Sequence, residues 1–252
     1  MGILFKTHKE FVAELVGTLQ NSMLPAAFSS DNQKRKKFGL FVLDDMVEHL
    51  GPSYFTQEQF GKIIQIICSF SNDKSAALRQ ASGYGIGIIA QNSGDAFHIY
   101  ADTCLNSLKQ AVDYAMSPKV EEKKLKQTQY HHARDNAIAS IGKIIKYQTA
   151  YVIGSPHLAQ DLPSYWLSLL PFHHDEAEAQ QNFEFIADFL QSNPAFIFGA
   201  DPANTAVKLA KIFSESYQEK FWDESTEQKK KMAWAIQYCV NTAPSPVPET
   251  FK

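Results

Sequence analysis

This chain has little of what most protein classes depend on. Cysteine is scarce: Cys68, Cys104 and Cys239 in 252 residues. They are far apart, odd in number and each set in an apolar helical pattern. Reduced core thiols of an intracellular protein are therefore expected, not a disulfide framework. No apolar run is long enough to span a bilayer. The first residues lack a basic stretch followed by an apolar one, the mark of a secretory signal. Charge is modest, with 20% charged residues and a formal net charge of −3, unlike a strongly basic nucleic-acid binder, although local acidic or basic faces stay open. Strand-like alternation is nearly absent. Helical sequence starts abruptly at Met1-Gly2-Ile3, which reads as a boundary inside a longer protein.

What is present is apolar residues at helical spacing. Hydrophobic residues make up 44% of the chain, so the bulk of it folds. Phe38, Phe41, Val42, Met46 and Leu50 mark one face, which stops at Gly51-Pro52. Thr56 with Gln59 three residues on predicts a capped start for a helix carrying Phe60, Ile63, Ile64 and Ile67. Asp73 or Ser75 opens the next, with Leu78, Ala81, Gly85 and Ile88 inward and an end near Ser93-Gly94. Further stripes run through Phe97–Leu108, Ala133–Ile145, Trp166–Leu170, Phe183–Leu190, Val207–Phe213 and Met232–Val240. The sum is about ten helices in about five hairpins. The proline-rich residues 244–252 read as a flexible tail.

The hairpins resemble one another. Setting Arg79 on Arg134 also sets Ile86-Gly87 on Ile141-Gly142, an offset of 55 residues. An offset of 43 sets Lys36 on Arg79 and Leu43 on Ile86. A period in the low forties suits HEAT repeats, and the larger offset implies an insertion within 116–130. A lone hairpin cannot cover its apolar face, so each needs a neighbour. Small residues (Ala77, Ala81, Gly83, Gly85, Gly87) let one helix sit close to adjacent backbones. Each helical glycine costs about 1 kcal/mol relative to alanine, which only tight packing offsets. The expected fold is all-α: one right-handed superhelical solenoid of about five HEAT repeats over residues 1–243.

Four ordered segments carry a family resemblance: Leu40–Pro52 (LFVLDDMVEHLGP), Leu78–Phe97 (LRQASGYGIGIIAQNSGDAF), Asn136–Ile144 (NAIASIGKI) and Leu162–Gly199. They resemble the C-terminal HEAT repeats of the importin beta-3 branch of karyopherins. The resemblance implies a fragment of a nuclear import receptor that shuttles between cytoplasm and nucleus through nuclear pores. It implies cargo with basic nuclear localisation signals, phenylalanine-glycine nucleoporins, and the GTPase Ran. The main Ran contact would lie in N-terminal repeats that this chain lacks. No membrane or direct nucleic-acid partner is implied, and no cofactor or metal.

Several motifs invite sharper readings. Gly83-Tyr84-Gly85-Ile86-Gly87 superficially suggests a phosphate loop, but it follows no strand and lacks the third glycine at dinucleotide spacing. Helix packing is the expected role. His131-His132 and His173-His174-Asp175 could hint at metal, but adjacent histidines point to different helix faces. Asp44, Asp45 and Glu48 are the candidate protein-binding residues. Asp44 and Glu48 lie four apart and share a face. Three roles compete there: a solvated face, capping and ladder contacts between repeats, or an acidic patch that suits basic cargo or basic Ran residues. Arg79 and Arg134 read as a ladder between repeats, with partners near the turn such as Asp73. The basic runs Lys34–Lys37 and Lys229–Lys231 read as solvated helix starts. A nucleoporin phenylalanine needs an apolar slot lined by residues such as Phe60, Ile64, Tyr100 and Cys104; plain core is the competing and commoner role of such a stripe. No nucleophile–base pair or catalytic carboxylate constellation appears, so catalysis is not expected. The rival reading is a HEAT scaffold subunit of a stable multiprotein assembly.

Overall fold

A computed structural model describes residues 2–8, 12–116, 128–172, 174–218 and 226–243. Among them every regular element is helical. Residues 117–127 of the expected 116–130 insertion, the expected tail (244–252) and His173 lie outside the described residues, while Met116 and residues 128–130 are helical. The chain divides into two compact units, Met1–Tyr147 and Gln148–Lys252.

The first unit begins with α1 (Gly2–Thr7). Next comes α2 (Ala13–Thr18), which continues through a π-helical turn (Leu19–Met23) into α3 (Leu24–Phe28). These are followed by α4 (Gln33–Leu50), α5 (Gln57–Ser69), α6 (Ala76–Asn92), α7 (Ala101–Met116) and α8 (Thr128–Tyr147). The second unit holds α9 (Thr149–Gly154), α10 (Pro156–Ser168), α11 (Glu176–Ser192), α12 (Pro194–Phe198), α13 (Pro202–Gln218) and α14 (Thr226–Thr242). Taken in chain order, α2–α3 with α4, α5 with α6, α7 with α8 and α13 with α14 pack as expected hairpins, and α10 and α11 follow one another in the place of the remaining one.

Local chemistry sets the boundaries. The Asn32 side chain accepts from the Lys34 backbone N–H at 2.9 Å and opens α4. Gly51 closes it at φ +80°, a conformation that glycine adopts without steric cost. Thr56 and Gln59 form the expected reciprocal box: Gln59 N–H donates to Thr56 Oγ1 at 3.2 Å and Thr56 N–H to Gln59 Oε1 at 2.9 Å. Such a cap contributes about 1 kcal/mol. The Asp175 side chain caps α11 in the same manner, accepting from Glu178 N–H.

In the first unit α6 lies against α4 on one side and α8 on the other, while α5 meets α7 in the second layer. Glycine makes the first set of contacts close. A Cβ on Gly83 would lie 3.3 Å from the Ala137 backbone nitrogen of α8, and one on Gly87 would lie 2.9 Å from the Lys143 side chain. On the other side of α6, a Cβ on Gly85 would collide with the Asp44 carboxylate of α4. Serine hydroxyls serve carbonyls of neighbouring helices, at the α6–α8 crossing and between α6 and α5. Ser140 Oγ donates to Gly83 O at 2.7 Å, and Ser82 Oγ to Ile67 O at 2.6 Å. Backbone proximity and polar satisfaction thus come from one short run of small residues.

The second unit fills its interior with rings. Phe172 meets Phe183 edge-on at 5.9 Å, and Phe183 meets Phe213 at 5.7 Å. Trp166, Phe172, Phe183 and Phe213 are fully buried. Cys68, Cys104 and Cys239 are free and buried, as the sequence pattern requires.

Candidate functional site

The acidic run on α4 is divided by the fold. Asp44 is 3% exposed, with its carboxylate against Gly85 of α6, and neither oxygen has a hydrogen-bond partner. Burial, then the charges of Asp45 and Glu48, push its pKa well above the usual carboxylate range. Burial without a hydrogen-bond partner disfavours the charged form. Asp44 is therefore removed from the surface, a correction to its expected place in a docking patch. Helical geometry explains it: Leu40, Asp44 and Val47 are spaced by four and three and fall on one buried face.

Asp45 and Glu48 remain, the first half-buried and the second exposed. The structure adds His49, which the sequence reading did not single out. Ligating atoms of Asp45, Glu48 and His49 all lie within 4.8 Å of one another. His49 stands four residues after Asp45, so the spacing held the signal. The start of α1 borders this group: a Cβ on Gly2 would lie 2.8 Å from His49 Nε2 and 3.0 Å from Asp45 Oδ1. Chemically, the group offers two carboxylates and an imidazole to a cationic side chain.

The other sequence candidates take structural places. Gly83, Gly85 and Gly87 lie mid-helix and form the packing faces of α6. Arg79 is fully buried, and its Nη1 donates to Asp73 O at 2.8 Å, the turn carbonyl that the ladder reading named. Tyr114 of α7 and Tyr130 of α8 flank its guanidinium at 4.1 and 4.8 Å from the ring centroids, which binds the second hairpin to the third. Burial pulls the Arg79 pKa below the ordinary arginine value, partly offset by the two tyrosines. Arg134 Nη1 lies 3.4 Å from Asp135 Oδ1. His131 and His132 begin α8, where His132 O accepts from Asn136 Nδ2 at 2.9 Å, and His174 is exposed in a bend. Phe60, Ile64 and Cys104 are buried core. Tyr100 packs on Phe60 at 5.9 Å and its hydroxyl donates to Gln57 O at 3.2 Å, so this set forms no open slot.

An open cleft lies instead in the second unit, between α10, α12 and α13. Its volume is about 650 Å³, and Pro163, Leu167, Phe196, Phe198, Thr205 and Lys208 are among its walls. Leu167 and Phe198 are buried. A second, more polar cleft of about 580 Å³ separates α11 from α14. There Lys231 pairs with Asp188 and Gln228 Nε2 donates to Glu184. Trp234 is 37% exposed and stacks on Tyr238 at 5.2 Å, which in turn stacks on Phe198 at 6.0 Å.

Successive helix pairs of this kind define a HEAT-type fold. Comparison with solved structures agrees: karyopherin Kap121p bound to the SUMO protease Ulp1p superposes with a TM-score of 0.65 at 20% identity, covering 98% of this chain and 22% of that one. The fold is thus the all-α karyopherin solenoid fold. No protein-family model matches the chain. Importin subunit beta-3 of Saccharomyces cerevisiae is 29% identical over 165 residues, 64% of this chain and 13% of the relative. A probable importin-5 homolog of Dictyostelium discoideum is 27% identical over 172 residues, 66% of this chain and 15% of the relative. The chain therefore matches only a small part of each relative's length. Together these matches support an importin-β superfamily HEAT-repeat region.

Proposed function

We propose that this chain is the protein-binding segment of a nuclear import receptor, working by reversible docking and without catalysis. The observation that carries the reading is the 165-residue similarity to importin beta-3, in a chain that takes the karyopherin fold along 98% of its length. In this reading residues 1–243 act as one solenoid, and the protein shuttles between cytoplasm and nucleus. Asp45 and Glu48 attract basic segments of cargo or of Ran, and Asp44 lies buried on the same helix. The cleft between α10, α12 and α13 receives a nucleoporin phenylalanine. Pro163, Phe196 and Ile197 among its walls and its open mouth support that role, and the buried Phe60 group has no such opening.

The test is affinity capture at low salt with the full-length protein as bait. Nucleoporins and Ran should be recovered, and cargo should be released by Ran-GTP. Recovery of neither removes the transport reading, and a stable complex insensitive to Ran-GTP favours a fixed scaffold. For the site, charge reversal at Asp45 and Glu48 should weaken binding of a basic cargo peptide about tenfold, the scale of one to two kcal/mol. Unchanged affinity would remove these residues from the interface.

A further inference from the structure

A groove of about 430 Å³ runs along the first turns of α4, away from every site described above. Its lining is apolar: Leu19, Met23, Leu24, Ala27, Phe38 and Val42. Met23 and Phe38 are 50% and 56% exposed, so the groove is open to a visitor. Lys34 and Arg35 line it as well, no carboxylate does, and Lys36 and Lys37 follow directly.

These four cations stand at a helix N-terminus, where the backbone dipole disfavours positive charge. The first turn of α4 holds no acidic residue to offset them. None of the four side chains has an ion-pair or side-chain hydrogen-bond partner among the described residues, and Lys37 only covers the Phe41 ring at 5.2 Å. An arrangement that works against the helix, beside exposed apolar surface, fits a partner that supplies both missing complements. We propose that this groove docks an acidic amphipathic helix of a partner protein. Apolar side chains four residues apart fill the groove, and flanking glutamates or aspartates meet Lys34 and Arg35. The concave shape favours a helix over a membrane, which takes protruding residues, and the apolar floor favours it over nucleic acid. The inference does not depend on the transport reading.

The probe is a synthetic helical peptide of about 16 residues, long enough to hold helix on docking, with leucines at every third and fourth position and glutamates between. Its binding to the full chain is read by fluorescence anisotropy. Parallel arms use the same peptide with lysine for glutamate, phosphatidylserine vesicles, and duplex DNA. The glutamate peptide should bind, the lysine peptide should bind at least tenfold more weakly, and affinity should fall as salt rises. Lys34→Glu with Arg35→Glu should weaken the glutamate peptide about tenfold and improve the lysine peptide. Phe38→Ser should weaken both. All three substitutions are at exposed positions, and unchanged circular dichroism confirms that the variants fold. Equal binding of the two peptides, no binding of either, unchanged affinity in the double variant, or binding only to vesicles or DNA would each overturn the proposal.

Discussion

The two units solve the same packing problem with opposite materials. In the first, α4, α6 and α8 approach until glycine is the residue that fits at the crossing, and serine hydroxyls serve carbonyls of neighbouring helices. In the second, Phe172, Phe183 and Phe213 meet ring against ring in the interior. The difference teaches that a hairpin repeat fixes the order of helices but not their spacing. Spacing follows from side-chain volume at a few facing positions.

That contrast can be broken from either side. Phe183→Ala removes a ring with contacts to two others and should cost about 3–5 kcal/mol, read as a shifted denaturant midpoint. A loss below about 1 kcal/mol would show that the ring cluster is not the core of its unit. Gly83→Leu adds volume where the neighbour is Ala137 backbone, and should cost about 1–3 kcal/mol. Gly83→Ala is the sharper control. The gain of about 1 kcal/mol in helix propensity is offset by the squeeze, so the net change should be small. Thr56→Ala removes half of the capping box and should cost about 1 kcal/mol in a thermal melt.

Asp44 gives a pH test of the close-packed side. Its folded pKa is raised, so the native state holds its proton more tightly than the unfolded chain does. The stability linked to this group is therefore greatest below the unfolded value, near 3.8, and falls as pH rises toward the folded value. Asp44→Asn should flatten that decline when melting temperature is followed upward from pH 4. An identical slope in both proteins would mean that the carboxyl is solvated. The smallest effect belongs to the exposed pair of Glu58 and Lys62. The lysine holds the Glu58 pKa below its ordinary value, yet Glu58→Gln should leave the melt unchanged, because surface ion pairs contribute little.

Much of this was legible in the sequence, and the failures have identifiable causes. The Gly51 stop, the Thr56–Gln59 box and the α6 glycines were readable because each is a local signal with one main structural use. The competing roles of the acidic group stayed open at Asp44 because spacing by four says that two residues share a face, not which face. Its flanks Leu40 and Val47 held the missing information. Phe60 and Ile64 were offered as a slot, but apolar periodicity looks the same for a groove wall and for core. The partners of Arg79 lay across hairpins, where Tyr114 and Tyr130 are distant in sequence. The groove beside Lys34 and Arg35 needed the π-helical turn at Leu19–Met23, for which the chain shows no pattern.

The stacking of α6 on α8 through bare backbone can be measured without a mutation. In nuclear Overhauser spectra of the folded protein, the Gly83 α-protons should show a strong cross-peak to the Ala137 amide proton. Its absence, with both resonances assigned and the chain folded, would contradict the stacked-pair architecture on which the docking function rests.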